Sequence, residues 1–481
     1  MRTRLGFSAM LLALALGAAC GGGTSTGPSG LLPVVAAING ATLPSGPAGS
    51  TVIIEGQNFG ASQGSGQVLF SNGSGGTVAA VIASAGDWTA SFILTAVPNG
   101  AATGNLTVLT SAGTSAPIVF TITQNAAFSP SIISWTGTRS LPTGLSGLAA
   151  AYGELKTAST IRAVYALGGS GAGGTTVSTA YVAIVGNTGT LGPWTATAAL
   201  PTGAAFSAAA VTTPANSRIT APGFVYFLGG ASNAAGQPVS TVYRGSLAAD
   251  GRVSAWAADT PLPAPLHSLR AALFHGDLYL AGGSTTGNVP VATVYRSRIG
   301  ADGTLGAWQV LASLPFKRSY FGFGQLGGYL YAFGGDSGGV APNSGSSTPT
   351  SFNDVVYARI DLKTGNLTAG GWLLNAGSLK KAVSKHTAVI AGGNVLITGG
   401  LYNGAGNGAT EESYAQLSPD GSVGSLNGAT GSNTIQGLGG GNLFNHAAVG
   451  YVDGTGVFHV LVLGGDDVNL PGTKHAGVYF Y

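Results

Sequence analysis

The chain has 481 residues, of which only 7% are charged and 44% hydrophobic, with 82 glycines and 19 Lys and Arg against 16 Asp and Glu. So low a charge excludes a coiled coil or helix bundle, and 6 Trp, 16 Tyr and 18 Phe among so many apolar residues exclude intrinsic disorder. The near balance of charge also removes the main driving force for nucleic-acid binding.

Residues 1–19 read as an export signal: Arg2 and Arg4 precede an apolar run from Leu5 to Ala19 that closes on small residues. The run is short and interrupted by glycine, which argues against a retained membrane helix. Cys20, the only cysteine, follows directly, and "LGAAC" resembles the bacterial lipobox, whose thiol is lipidated after cleavage. That resemblance implies an exported protein, lipid-anchored in the cell envelope through Cys20. Gly21 and Gly22, in place of an aspartate behind the cysteine, point to the outer membrane or cell surface. The alternative is an ordinary secretory signal with a chance cysteine. Cleavage removes two arginines and leaves 17 basic against 16 acidic residues. A single cysteine rules out an intrachain disulfide, so burial and closure must hold the fold. Residues 20–31, rich in Gly, Ser and Thr, have the composition of a flexible tether.

Residues 32–124 carry β-type runs at regular spacing, "STVIIEG", "GQVLFS", "GTVAAVIAS", "WTASFIL", "GNLTVLTSAG" and "PIVFTIT", with Gly, Pro and Asn between them. Such spacing predicts a β-sandwich. "GSTVIIEGQNFG" (Gly49 to Gly60) and "PNGAATGNLTVLTSAGTS" (Pro98 to Ser115) resemble the immunoglobulin-like IPT/TIG domains. The resemblance implies a spacer or interaction module, with Gly56, Asn58 and Gly60 as turn formers.

From residue 129 to 481 an apolar strand stopped by two glycines recurs six times, ending at Gly169, Gly230, Gly283, Gly335, Gly400 and Gly465, with steps of 61, 53, 52, 65 and 65 residues. A tyrosine column follows (Tyr181, Tyr243, Tyr295, Tyr357, Tyr414, Tyr479), then a tryptophan column (Trp135, Trp194, Trp256, Trp308, Trp372, with Leu426 in the remaining place). Blade three shows the four strands most plainly: "LRAALFHG", "DLYLAGG", "ATVYRSRI" and "GTLGAW", the last ending at Trp308. Asp250-Gly251, Asp302-Gly303 and Asp420-Gly421 read as tight turns between third and fourth strands. These features resemble kelch repeats. The fold class expected is therefore all-β, an immunoglobulin-like sandwich followed by a six-bladed kelch-type β-propeller. Blade six departs from the pattern by lacking its tryptophan, and blades one and two lack the basic residue after "LP".

The last unit stops at its third strand, Ala476 to Tyr481, while an orphan fourth strand, "SIISW" (Ser131 to Trp135), precedes the first. Pairing the two would close the ring and remove exposed edges. Loops entering the inner strands and loops after the glycine pairs then share one face, opposite the Asp-Gly turns. Binding is expected on that loop face; its longest loop runs from Asp336 to Asp354.

Aligning "SLRAAL", "RSYFGF", "SKHTAV" and "FNHAAV" puts Arg270, Tyr320, His386 and His446 in equivalent places at the mouth of the inner strands, with His267, Arg318, Lys385 and Asn445 nearby. Convergence on the axis would suit a sugar, a carboxylate or a peptide end. The competing reading is packing: kelch repeats often place a basic residue or histidine here for loop hydrogen bonds. No H-x-H or H-x-x-x-H spacing supports a metal site built from His386 and His446, and no cofactor is expected. Asp336, Asp466 and Asp467 are expected to be solvated loop carboxylates.

Three functions compete. The first is an envelope- or surface-anchored binding lipoprotein, a monomer whose partner is a carbohydrate or a surface protein. The second is a sugar mutarotase, by resemblance to six-bladed sialate mutarotases, with Arg270 and the histidines as acid or base. The third is a purely structural surface or matrix component. A galactose-oxidase-like copper enzyme is excluded because its Tyr–Cys cofactor needs a cysteine other than Cys20.

Overall fold

The computed structural model of the chain describes residues 30–38, 44–46, 48–49, 51–122, 135–156, 160–213, 217, 219, 222–338, 351–391, 393–402, 412–418, 420–428, 443–453, 457–468, 470 and 472–480. The expected export signal, Cys20 and nearly all of the expected tether lie outside them, as do residues 131–134 of "SIISW" and 339–350 of the longest loop.

In the N-terminal part, Val34–Ile38, Thr51–Gln57 and Phe92–Ala96 form one sheet, while Gln67–Ser71, Thr77–Ala79, Gly104–Thr110 and Ile118–Ile122 form the body of a second. Alternation along the strands turns Val52, Ile54 and Ile93 of the first sheet toward Val68, Phe70, Leu106, Val108 and Phe120 of the second. Trp88 joins this core and donates from Nε1 to the Phe59 carbonyl at 2.8 Å. Asn58 (φ 64°) and Gly60 (φ 87°) make the turn expected of them, whereas Gly56 lies inside the strand Thr51–Gln57, pressed against the Val34 carbonyl where a Cβ would not fit. The first strand, "VVAAI", was not expected, since short alanine-rich runs carry little β signal.

Six four-stranded antiparallel sheets follow. Their inner strands are Ala149–Lys156, Ala208–Thr212, Arg270–Phe274, Gly322–Leu326, Thr387–Ala391 and Ala447–Val452. Each packs against the next, and the sixth packs against the first, so the ring is closed. Five sheets are contiguous in sequence. The sixth orders Ala447–Val452, Phe458–Leu463 and Val478–Phe480, and its outer strand is Thr136–Gly137 from the other end of the region. The closing strand therefore lies directly after Trp135.

The glycine pairs are the joints between blades. The amide of Gly283 donates to the Arg318 carbonyl of the next blade at 3.0 Å, and Gly169, Gly230, Gly400 and Gly465 make the same link to Ala204, Leu266, Leu443 and Leu145. Gly282 sits at φ 55°, and a Cβ there would lie 2.5 Å from the Arg318 carbonyl oxygen, so a side chain would break the joint. A second joint uses tyrosine: Tyr165, Tyr226 and Tyr279 donate to the carbonyls of Gly251, Gly303 and Gly365 in the next blade's turn, at 2.6–2.7 Å.

Two expectations about the blades are corrected. The fourth strand of blade three is Gln309–Leu311, after Trp308 and not before it, because Gly300 to Thr304 form a tight turn closed by a 2.8 Å amide–carbonyl bond. The blade without a tryptophan is blade five, where Leu426 precedes Asn427–Gly428; ring closure gives Trp135 to blade six.

The sandwich sits on the short-turn face of the propeller. Ile53 and Leu94 join the core of blades three and four beside Phe274 and Leu330. Phe92 packs edge-on against His275 with centroids 4.8 Å apart, and Asp87 pairs with Arg359. Among the described residues these contacts leave the loop face uncovered by the sandwich.

Candidate functional site

Each inner strand is entered through a residue in left-handed backbone geometry. Gly147, Phe206, Ser268, Tyr320, Lys385 and Asn445, one per blade, have φ between 52° and 57°. Their peptides link blade to blade around the axis: Phe206 donates to Gly147, Ser268 to Phe206, Lys385 to Tyr320, Asn445 to Lys385, and Gly147 to Asn445, at 2.6–3.1 Å. Left-handed geometry costs a non-glycine residue roughly 1–2 kcal/mol. Five blades accept that cost because the turn delivers both an inter-blade bond and the start of a strand two residues later.

This frame corrects the alignment of Arg270, Tyr320, His386 and His446. Tyr320 is itself a left-handed residue, His386 and His446 follow theirs by one, and Arg270 follows Ser268 by two. The four side chains therefore leave the backbone at different heights and face different neighbours.

Tyr320, Lys385 and His267 gather on the loop side of the axis and are 2%, 2% and 0% exposed. Tyr320 packs edge-on against Phe206 (6.3 Å) and near His267 (6.4 Å), and the Lys385 amine lies over the rings of Tyr320 (5.3 Å) and Phe444 (5.7 Å). These contacts run from blade two to blade six, so the side chains meet over the axis and cover it. Arg318 and Asn445 serve loops instead. Arg318 makes a two-pronged pair with Asp354 at 2.8 Å and lies 4.8 Å above Phe352, while Asn445 donates to Asp466 at 3.0 Å.

Asp336, Asp466 and Asp467 are not solvated: they are 0%, 5% and 2% exposed. Asp336 accepts from the Gly338 amide (2.6 Å) and the Ser351 hydroxyl (3.1 Å); Asp466 accepts from Lys474 (2.6 Å); Asp467 lies 3.7 Å from His475 Nε2. The residue after each glycine pair is tied back to the entrance of its own inner strand, which buries it.

Beneath the cover lies a chamber of about 140 Å³ on the axis, lined mostly by alanines of the inner strands, with Arg270, His446, Thr387 and Ser207 as its polar side chains. Arg270 donates from Nε to the Phe321 carbonyl at 2.8 Å, and burial lowers its pKa to about 10. His446 Nε2 is 2.8 Å from the Thr387 hydroxyl. His386 Nε2 lies 3.0 Å from the Gly322 amide nitrogen and 3.1 Å from the Phe333 carbonyl, so either neutral tautomer is satisfied on that side. Burial, and secondarily the charge of Arg270, pushes both rings down to about 3; burial takes His267 to about 4. The histidines are thus neutral at physiological pH and poor general acids. Low-pKa, neutral histidines weaken the mutarotase reading, which called on them as acid or base.

The structure brings Arg270 and His446 together, sets His386 beside them, places Tyr320, Lys385 and His267 above, and keeps Arg318 and Asn445 apart. Thr387 and Ser207 were missed. Their signal was the run of small residues, "SAAA", "RAAL", "TAVI" and "AAVG", that opens the channel.

No family model matches the chain. A stretch of 92 residues is 36% identical to Kelch-like protein 9 of Mus musculus, covering 18% of this chain and 14% of that protein. Kelch-like protein 13 of Bos taurus and of Homo sapiens each match over 90 residues at 36% identity, 18% of this chain and 13% of theirs. The chain thus spans 13–14% of the length of the curated relatives it matches. Together with the ring of six four-stranded sheets, these matches support a kelch-type reading of the repeats.

Proposed function

We propose that this protein is a cell-envelope lipoprotein that binds a surface protein or a carbohydrate through the loop face of its propeller. The observation that carries the reading is the seat of the sandwich on the short-turn face, which leaves the opposite face open. In this reading the sandwich is an immunoglobulin-like spacer of the IPT/TIG kind, and the tether and a lipid on Cys20 hold the whole at a membrane. The loop face also presents anchors. Phe316 is 53% exposed and stacks on Phe352 at 5.7 Å; Val289 of blade three and, farther round the ring, Leu470 of blade six are half-exposed. A rigid exposed aromatic on a braced loop is the kind of group that dominates binding energy. Kelch-type repeats support an interaction role.

The test is an array of surface proteins and glycans probed with the full mature chain. A specific ligand should lose about tenfold or more affinity with Phe316→Ala, whereas Leu373→Ala on the outer edge of blade four should bind like wild type. A ligand unaffected by Phe316→Ala, Val289→Asp and Leu470→Asp would place recognition elsewhere. Mass spectrometry of the N-terminus of membrane-purified protein should show an acylated Cys20; a bare cysteine would overturn the anchor.

A further inference from the structure

Arg270 opens the inner strand of blade three where the other blades have Ala149, Ala208, Gly322, Thr387 and Ala447. It is the one long side chain in a ring of small ones. Its Nε bonds to the Phe321 carbonyl at 2.8 Å and its Nη1 more loosely to the Leu269 carbonyl at 3.3 Å, both neutral acceptors. Nη2 has no partner among the described residues. The contrast with other arginines is sharp: Arg162, Arg244, Arg296, Arg298, Arg318 and Arg359 each face a carboxylate.

Arg270 is half-buried, and a guanidinium partly withdrawn from bulk water without a counter-charge is left under-solvated. No acidic side chain lines the chamber into which Arg270 faces. The nearby histidines are held neutral, so they neither repel an anion nor neutralise the arginine. The remaining space, about 140 Å³, is enough for an ion of one to four heavy atoms with some water. With His446 donating from Nε2 to the Thr387 oxygen, the Thr387 hydroxyl proton is free to point into the chamber.

We propose that the axial chamber is an anion site, in which a small monovalent anion, a halide or a carboxylate of a few atoms, neutralises Arg270 and accepts hydrogen bonds from its Nη2 and from the Thr387 hydroxyl. The site does not depend on recognition at the loop face, because none of the side chains that line it is one of the exposed loop-face anchors.

Thermal melts of the full chain at fixed ionic strength test this, comparing sodium formate and sodium chloride with sodium gluconate, whose anion is far bulkier. Formate or chloride should raise the melting temperature saturably, by at least about 1 °C at 100 mM. Arg270→Leu should abolish the difference between salts. Ala209→Leu, which fills the chamber but keeps the charge, should abolish it as well, and it decides the matter if the first variant fails to fold. A response to formate alone identifies a planar carboxylate, and a response to both a site that also takes halide. Equal melting of wild type in all three salts, or a difference that survives both substitutions, overturns the proposal.

Discussion

Lys385 concentrates the site's physical tensions in one residue. Its backbone is left-handed (φ 56°), its side chain is 2% exposed, and its amine lies over two aromatic rings. Burial dominates and lowers its pKa to about 7, although Asp466 and Asp336 pull the other way. An unfolded lysine keeps its proton to about 10.4. Between these values the unfolded state binds more protons than the native one, so stability should rise from about pH 7 to about pH 10, by at most about 1.4 kcal/mol per unit. Lys385→Met should flatten that limb and raise stability at pH 6, as urea melts across the range would show. A wild-type curve flat over this window would mean that the amine stays charged in the fold. The sequence singled out Lys385 and its neighbours correctly as residues of the inner-strand mouth, yet misjudged their heights. Five of the six left-handed positions carry Phe, Ser, Tyr, Lys or Asn, and apart from asparagine nothing in such residues announces a positive φ that the inter-blade bonds impose.

Between elements, the tryptophan column performs one repeated task. Trp194, Trp256, Trp308 and Trp372 donate from Nε1 to the carbonyls of Arg139, Ala198, Thr260 and Ala312, each in the segment just before its own blade. Trp135 differs, since its indole reaches the carboxyl of Glu412 in blade five. Glu412 is 3% exposed, and burial raises its pKa to about 8 against the lesser opposing effect of the indole. The unfolded chain releases this proton near pH 4.3. The native state therefore binds more protons between about pH 4.5 and 8, and stability should fall with rising pH over that window. Glu412→Gln removes the ionisation, so its melts at pH 5 and pH 8 should agree more closely than those of wild type, with the variant the more stable at pH 8. Equal pH dependence in both proteins would show that the carboxyl is ionised in the fold. Strand existence was legible here because glycine pairs and aromatics recur in step. Strand boundaries were not: the fourth strand can start before or after its tryptophan, depending on how tightly the preceding turn closes.

For the molecule as a whole, the repeat count was legible because each blade must bury both faces against neighbours, which writes the same apolar run and glycine pair six times. The seat of the sandwich was not, because it depends on single contacts such as Asp87 with Arg359 that leave no periodic trace. Closure rests on joints like those elsewhere in the ring: Gly465 donates to Leu145 at 2.8 Å, Tyr451 to Gly189 at 2.8 Å, and Gly147 to Asn445 at 2.7 Å. What is special to the seam is the outer half of blade six, where Val478–Phe480 lies between Phe458–Leu463 and Thr136–Gly137. Ending the chain at His475 would strip Val478 and Tyr479 from the core, leave the carbonyl-seeking amides of Thr138 and Leu141 unpaired, and expose a long apolar edge. The inner joints would survive, so the expected result is not a random coil but a ring that opens at blade six first. Urea unfolding followed by both circular dichroism and tryptophan fluorescence should then split into non-coincident transitions with a lower first midpoint. A truncated chain that melts in a single step at the midpoint of the full protein would show that the inner joints alone carry closure.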